Sequence, residues 1–224
     1  MSNNELPELT LQDNTSQRLP LVLLLDVSGS MSGEPISELN ESLKILENEL
    51  KKDPIASQRV QILLIEFGGI KDVDIVTEWV DAMDFEAPIL QASGLTPMGA
   101  AVRLGLGKLE EQKMRYRNAG IPYNRPWVFL ITDGGPTDEW QEIARQAKLA
   151  ENNGQLIFFG IGVGPGASLS TLSQFSERQP VRLQGLKFKE LFLWVSASAR
   201  SASKSAPGSN VQLPPPNSWM EVSS

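Results

Sequence analysis

Asp26, Ser28 and Ser30 stand two residues apart directly after the apolar run Leu21 to Leu25. A carboxylate and hydroxyls at that spacing, with Gly29 and Gly33 allowing a tight turn, are hard oxygen donors of the kind that suit magnesium, manganese or calcium. Two other stretches carry the same chemistry. Thr96 lies in Gly94-Leu95-Thr96-Pro97, and Asp133 follows the apolar run Trp127 to Thr132. Two carboxylates and three hydroxyls leave an octahedral cation partly coordinated, with room for water or an outside ligand. Read locally, Asp26 and its serines serve equally well as the cap of the next helix.

Much other chemistry is absent. The 224 residues contain no cysteine and no histidine. That removes disulfides, thiolate catalysis, imidazole ligands, zinc sites of the Cys/His type and the Ser-His-Asp triad. Only carboxylates, hydroxyls, lysines and tyrosines remain. A formal net charge of −7 argues against nucleic acid as the main partner and is compatible with cations. The amino terminus, MSNNELPELT, has neither the basic start nor the apolar core of a signal peptide. No apolar run is long enough to span a bilayer, so the expectation is a cytoplasmic protein without membrane contact.

The elements that must position these donors alternate along the chain. Leu19 to Asp26 reads as a strand buried on both faces. Pro35 fits the first position of a helix whose stripe, Ile36, Leu39, Leu43, Leu46 and Leu50, ends near Asp53 and Pro54. Arg59 to Phe67 is a second strand, and Val73 to Val80 its hairpin partner at the sheet edge. An irregular loop, Asp81 to Gly94, leads to Thr96 as N-cap and a helix carrying Met98, Ala101, Val102, Leu106 and Leu109. Gly99, Gly105 and Gly107 weaken that helix by about 1 kcal/mol each, which close packing on a sheet would explain. Arg115 to Arg125 reads as a loop, Trp127 to Thr132 as a strand, and Thr137 or Asp138 as the cap of a helix that Asn153-Gly154 stops. Gln155 to Val163 is a strand, Ser168 to Ser176 a short helix, Val181 to Leu183 an edge strand, and Lys187 to Ala199 the last helix. Strands alternating with helices predict an α/β, doubly wound, mostly parallel sheet of about six strands, with one antiparallel edge strand and helices on both faces. The chain divides into a polar arm (1–18), one domain (19–199) and a Ser/Pro-rich tail (200–224) expected to be disordered, with Trp219 and Met220 stranded in it.

At Asp26-Val27-Ser28-Gly29-Ser30, Thr96 and Thr132-Asp133-Gly134 the chain resembles the von Willebrand factor A domain family, whose metal-ion-dependent adhesion site reads D-x-S-x-S, then a distant T, then a distant D. The resemblance extends from about Leu19 to Ala199. It implies Ser28, Ser30 and either Thr96 or Asp133 directly on a metal, the remaining carboxylates acting partly through water, and a partner's Glu or Asp completing the shell. Within the family, the G-L-T-P-M-G-A-A segment beginning at Gly94 looks like that of stand-alone bacterial proteins of the tellurite-resistance-associated TerY type. The resemblance therefore implies a non-enzymatic, metal-dependent interaction module with a protein partner, in a tellurite or stress response.

Rival readings rest on less. A carboxylate-based, metal-dependent phosphohydrolase of the haloacid dehalogenase type needs a second aspartate where Ser28 stands. Gly160 to Ala167 contains G-x-G-x-x-A, but Pro165 interrupts the expected helix start and Lys187 lies where an acid should follow. The acidic run Asp72, Asp74, Glu78, Asp81, Asp84 and Glu86 reads more simply as a solvated edge than as a second cation site. Trp79, Trp127 and Trp140 read as core. A structural subunit that binds no metal is the remaining alternative.

Overall fold

A computed structural model describes residues 14–209, 211, 213–215, 219 and 220. Its central strand is β1 (Leu19–Asp26), buried along its whole length. Because side chains alternate across a strand, Leu21, Leu23 and Leu25 enter one hydrophobic cluster and Val22 and Leu24 the other. Two packed faces of this kind demand two covering layers, and the chain supplies both.

β1 pairs in parallel with β2 (Val60–Phe67) on one side and β4 (Trp127–Thr132) on the other. β5 (Ile157–Val163) and β6 (Val181–Leu183) continue the parallel sheet beyond β4. β3 (Val73–Asp81) is antiparallel to β2 at the opposite edge, giving the spatial order β3-β2-β1-β4-β5-β6. One face is covered by α1 (Glu34–Lys52) and α6 (Phe188–Lys204), through residues such as Leu39, Leu43, Leu46, Leu191 and Val195. The other face carries α3 (Met98–Asn118) and α4 (Gln141–Asn152), through Met98, Val102, Leu109, Ile143 and Ala147. Each fully buried leucine or valine contributes about 1.5–3 kcal/mol relative to exposure. Two one-turn helices complete the set, α2 (Ala56–Arg59) and α5 (Leu169–Leu172). The doubly wound sheet with one antiparallel edge strand is as the alternation predicts.

Several boundaries differ from the periodicity, each for a visible reason. α2 was hidden behind Pro54; the Asp53 carboxylate caps it, accepting from the N–H groups of Ile55 and Ala56. α3 extends to Asn118, into the start of the stretch expected as loop from Arg115 to Arg125, because Gln112, Lys113 and Tyr116 are buried in place of leucines. Tyr116 donates to Gln61 Oε1, and Gln61 Nε2 donates to Asp81 at 2.7 Å. α6 continues past Ala199 to Lys204, its lower part packing small residues, Ser198, Ala199, Ala202 and Ser203, that form no apolar stripe in the sequence.

The chain's ends are also tied down where they are described. Of the polar arm expected over residues 1–18, residues 1–13 lie outside the described residues. Arg18 is fully buried, 3.6 Å from Asp81, and donates to the carbonyls of Ser16 and Asn14. Of the tail expected to be disordered over 200–224, residues 210, 212, 216–218 and 221–224 lie outside the described residues. Of the rest, residues 200–204 continue α6, residues 206–209 and Pro215 are exposed, and Val211, Leu213, Trp219 and Met220 pack against the core. Trp219 is buried with its ring 5.4 Å from that of Trp194. Met220 forms an antiparallel bridge with Leu183, and Gln184 N–H donates to Trp219 C=O at 2.8 Å.

Candidate metal centre

The parallel strands β1 and β4 end side by side, so Asp26 and Asp133 emerge at the same edge of the sheet. The loop after Asp26 makes a single 3-10 turn, Gly29–Met31, before α1 starts at Glu34. That turn brings the serines back over the strand end. Ser28 N–H donates to Asp26 Oδ1 at 2.8 Å, the Ser28 and Ser30 hydroxyls lie 3.1 Å apart, and Ser30 Oγ donates to Asp133 Oδ1 at 2.8 Å. Four of the five predicted donors thus form one hydrogen-bonded run, from the buried Asp26 and Ser28 to the exposed Ser30 and half-buried Asp133.

Thr96, the fifth, reaches this edge on the loop before α3. It is buried, and its hydroxyl makes no hydrogen bond among the described residues. It lies 3.8 Å from where a Cβ on Gly134 would sit, so it faces the loop that carries Asp133. The backbone of Thr96 is clamped to that loop: its N–H donates to Thr137 Oγ1 at 3.0 Å, and Thr137 N–H donates to its C=O at 2.9 Å.

The capping expectations need correction here. Thr96 is not the N-cap of α3. Pro97 holds that position without a side-chain bond, and the cap comes from across the site. Asp138 accepts from Gly99 N–H at 2.9 Å and Ala100 N–H at 2.7 Å, one carboxylate oxygen each. Its negative charge also suits the positive end of the helix. Neither Thr137 nor Asp138 caps α4, which starts at Gln141 with Trp140 before it. Their local spacing read as a helix start; their partners, some forty residues away in sequence, left no local signal.

Thr132 is a further contributor. Its hydroxyl donates to Asp26 Oδ2 at 2.5 Å and accepts from Gly134 N–H at 3.2 Å. Asp26 is 1% exposed, and burial is the main cause that pushes its carboxyl up from the ordinary range. Hydrogen bonds from Ser28 and Thr132 oppose that shift, and the nearby Asp133 charge adds to it. The groups acting on it are thus hydroxyls, one N–H and a second carboxylate. A hard cation would relieve both the burial and the like-charge repulsion, so these residues fit one. Among the described residues no three carboxylates gather to hold a metal. The candidate centre has two, and hydroxyls make up the rest.

The loops are held close by glycines. Gly68 has φ +105°, and a Cβ there would sit 2.5 Å from Ser28 N and 2.6 Å from Leu95 O. Only a residue without a side chain allows the backbones of three loops to meet there. In the GIGVGPGA stretch, Gly162 serves packing, since a Cβ there would meet Ala167 and Leu169 side chains within 3 Å, Gly164 turns the chain at φ +64°, and a Cβ on Gly166 would meet Asp133 O at 2.8 Å. Three of the six acids in the acidic run have ordinary partners, Lys71 with Asp74, Lys108 with Glu78, and Arg18 with Asp81.

The profile of the von Willebrand factor type A domain matches residues 21–182, and the chain belongs to that family. No curated protein matches the chain. Among solved structures, the pilus adhesin SpaC of Lactobacillus rhamnosus GG in its open conformation is similar at 14% identity and TM-score 0.67, over 84% of this chain and 31% of that one. Proximal thread matrix protein 1 of the mussel byssus is similar at 14% identity and TM-score 0.56, over 82% of this chain and 48% of that one. The D319A mutant of the PilB minor pilin of Streptococcus sanguinis is similar at 11% identity and TM-score 0.55, over 83% of this chain and 62% of that one. The chain therefore spans less than two thirds of each, and what the likeness establishes is the fold. No helix among the described residues is long and apolar enough to cross a membrane.

Proposed function

We propose that the chain is a metal-ion-dependent protein-interaction module and not an enzyme. Asp26, Ser28, Ser30, Thr96 and Asp133 hold a divalent cation, magnesium or else manganese or calcium, and a partner's Asp or Glu completes the shell. Ser28, Ser30 and either Thr96 or Asp133 touch the ion, with the remaining carboxylates acting partly through water. The observation that carries this reading is the hydrogen-bonded run Asp26–Ser28–Ser30–Asp133, beside a Thr96 hydroxyl without a partner among the described residues. The cation supplies a positive point at a surface that otherwise presents the Asp133 carboxylate, with Asp26 buried beneath it. The chain's own part is to fix the donors: Thr132 orients Asp26, Thr137 clamps Thr96, and Asp138 anchors the helix behind it. Support comes from the fold's company as well. The mussel matrix protein, in a form similar to this chain at TM-score 0.50 and 14% identity, is described with a zinc-occupied metal-ion-dependent adhesion site.

The Gly94 to Ala101 segment supports the narrower placement among TerY-type bacterial proteins, and with it a cytoplasmic role in tellurite or stress resistance. The binding unit is residues 19–199, extended to Lys204 by the length of α6, with the polar arm before it and the tail after it. The test is calorimetric titration with magnesium and manganese together with thermal unfolding. Binding at one site should stabilise the fold by about 2.7 kcal/mol at a hundredfold excess over Kd. Asp26→Ala should remove both signals. A null titration of folded wild type would overturn the metal; partner capture that survives a chelator would overturn the bridge.

A further inference from the structure

Two of the three most exposed large apolar side chains among the described residues, Ile70 at 92% and Leu95 at 66%, sit on loops that touch the candidate metal loop. Scattered surface leucines need no explanation. This pair does, because of how it is held. Ile70 stands in a turn closed on itself, with Gly68 N–H donating to Asp72 C=O at 2.7 Å and Asp72 at φ 60°. Turn positions of that sort favour Gly, Asn, Asp or Ser, and nothing in the folding of the turn calls for an isoleucine. Leu95 directly precedes the candidate ligand Thr96. Gly29 N–H donates to Gly94 C=O at 3.1 Å, and a Cβ on Gly94 would lie about as close, 3.0 Å and 3.1 Å, to the carbonyls of Gly68 and Gly69. The two apolar side chains are therefore presented from a close-packed backbone platform beside the donors. Among the exposed charges of these loops, Glu34 opens α1, Asp72 closes the turn and Glu139 lies between Asp133 and α4, while Lys71, beside Ile70, is paired with Asp74 at 2.8 Å.

We propose that Ile70 and Leu95 form an apolar rim beside the metal that selects a partner segment in which a single Asp or Glu lies next to a bulky apolar residue. The inference rests on the metal-bridge reading and adds the partner's sequence class to it. A lone carboxylate reaches the cation, its apolar neighbour loses water against Ile70 and Leu95, and basic flanking residues are favoured by Glu34, Asp72 and Glu139. A run of acids is disfavoured, since only one can meet the cation and the others face a surface of their own sign.

The experiment is selection from a random-peptide phage library on the full-length chain loaded with manganese. Affinities of the recovered peptides are then measured for wild type, the double variant Ile70→Ser/Leu95→Ser, and Leu149→Ser. Leu149 is an equally exposed apolar residue on α4, near the helix's far end. The expected result is peptides with one acid and a bulky apolar residue within two positions. Their affinity should fall at least fivefold in the double variant and stay unchanged in Leu149→Ser, with manganese affinity equal in all three. Chelator-sensitive peptides with acids but no apolar neighbour, unchanged affinity in the double variant, or no peptide recovered by a chain that binds manganese would overturn the rim. Failure of the metal reading has a different signature: wild type would bind no manganese, or the peptides would bind equally in chelator.

Discussion

Asp26 is buried behind two hydroxyls and raised in pKa mainly by that burial, which gives the centre a pH dependence of known sign. The neutral acid is favoured in the metal-free fold. Its contribution to stability is thus fully present below the unfolded pKa and lost as pH rises through the raised folded value. The cation needs the carboxylate, so metal affinity should fall as pH drops through that same window, at a pH above the ordinary aspartate range. Acidification should therefore weaken manganese binding while favouring this group in the metal-free fold. Titrating manganese at stepped pH checks it; a flat affinity down to the ordinary aspartate range would contradict a buried Asp26 ligand. A second residue-scale contrast separates ligand from cap. Thr96→Ala removes a hydroxyl that caps nothing, and should leave unfolding free energy nearly unchanged while weakening metal. Asp138→Ala removes the bond acceptors for Gly99 and Ala100, and should cost about 1 kcal/mol of stability. Equal destabilisation by the two changes would return Thr96 to a structural role. Asp26, Ser28, Ser30 and Asp133 were legible as candidate donors because they follow strand ends, and Thr96 because it precedes a helix. Thr137 and Asp138 were not, because a side chain that caps a helix forty residues earlier looks, in one dimension, like the cap of the next one.

At the scale of elements, α3 shows why glycine content alone misleads. Its three glycines all weaken the helix intrinsically, but only two have a packing reason. A Cβ on Gly99 would sit 2.4 Å from Glu139 O, on the loop that carries Asp138, and one on Gly105 would meet Leu24 Cδ2 at 2.9 Å on β1. Gly107 is exposed and has nothing within 4 Å. Gly107→Ala should therefore stabilise by about 0.4–1 kcal/mol, through helix propensity and a less free unfolded chain. Gly99→Ala should destabilise and also loosen the metal loops, because backbone cannot retreat as a side chain does. Gly105→Ala should destabilise less, since Leu24 is a side chain. Urea unfolding of the three variants orders them; a stabilising Gly99→Ala would refute the close approach. The strand and helix sequence was readable from period alone because most faces are lined with Leu, Ile and Val. It failed where a buried face is polar or small, as on the last turns of α3 and of α6.

For the molecule as a whole, the open question in a doubly wound sheet is what covers the face beyond its last helix. α1 and α6 cover β1 and its neighbours, yet Phe159 on β5 stacks on Phe129 at 4.5 Å and is only half-buried. The carboxyl-terminal segment lies over this region. Val211 and Leu213 pack against the cluster, Trp194 Nε1 donates to Pro214 C=O at 2.7 Å, and Trp219 closes on Trp194. Composition could not reveal this, because one tryptophan among serines and prolines is diluted in any average while its burial area is large. The docking is also imperfect: Trp219 Nε1 is buried without a hydrogen-bond partner among the described residues, which offsets part of the gain. Ending the chain at Ser209 should thus lower the unfolding free energy by about 3 kcal/mol without abolishing the fold, and Trp219→Ala should reproduce most of that loss, near the lower end of the range for removing a buried tryptophan. Trp219→Phe removes the unpaired N–H and keeps a ring, so it should recover most of the stability. Unfolding midpoints for the three variants decide the matter. A chain ending at Ser209 with the stability of the full chain would mean that the segment rests on the domain without holding it.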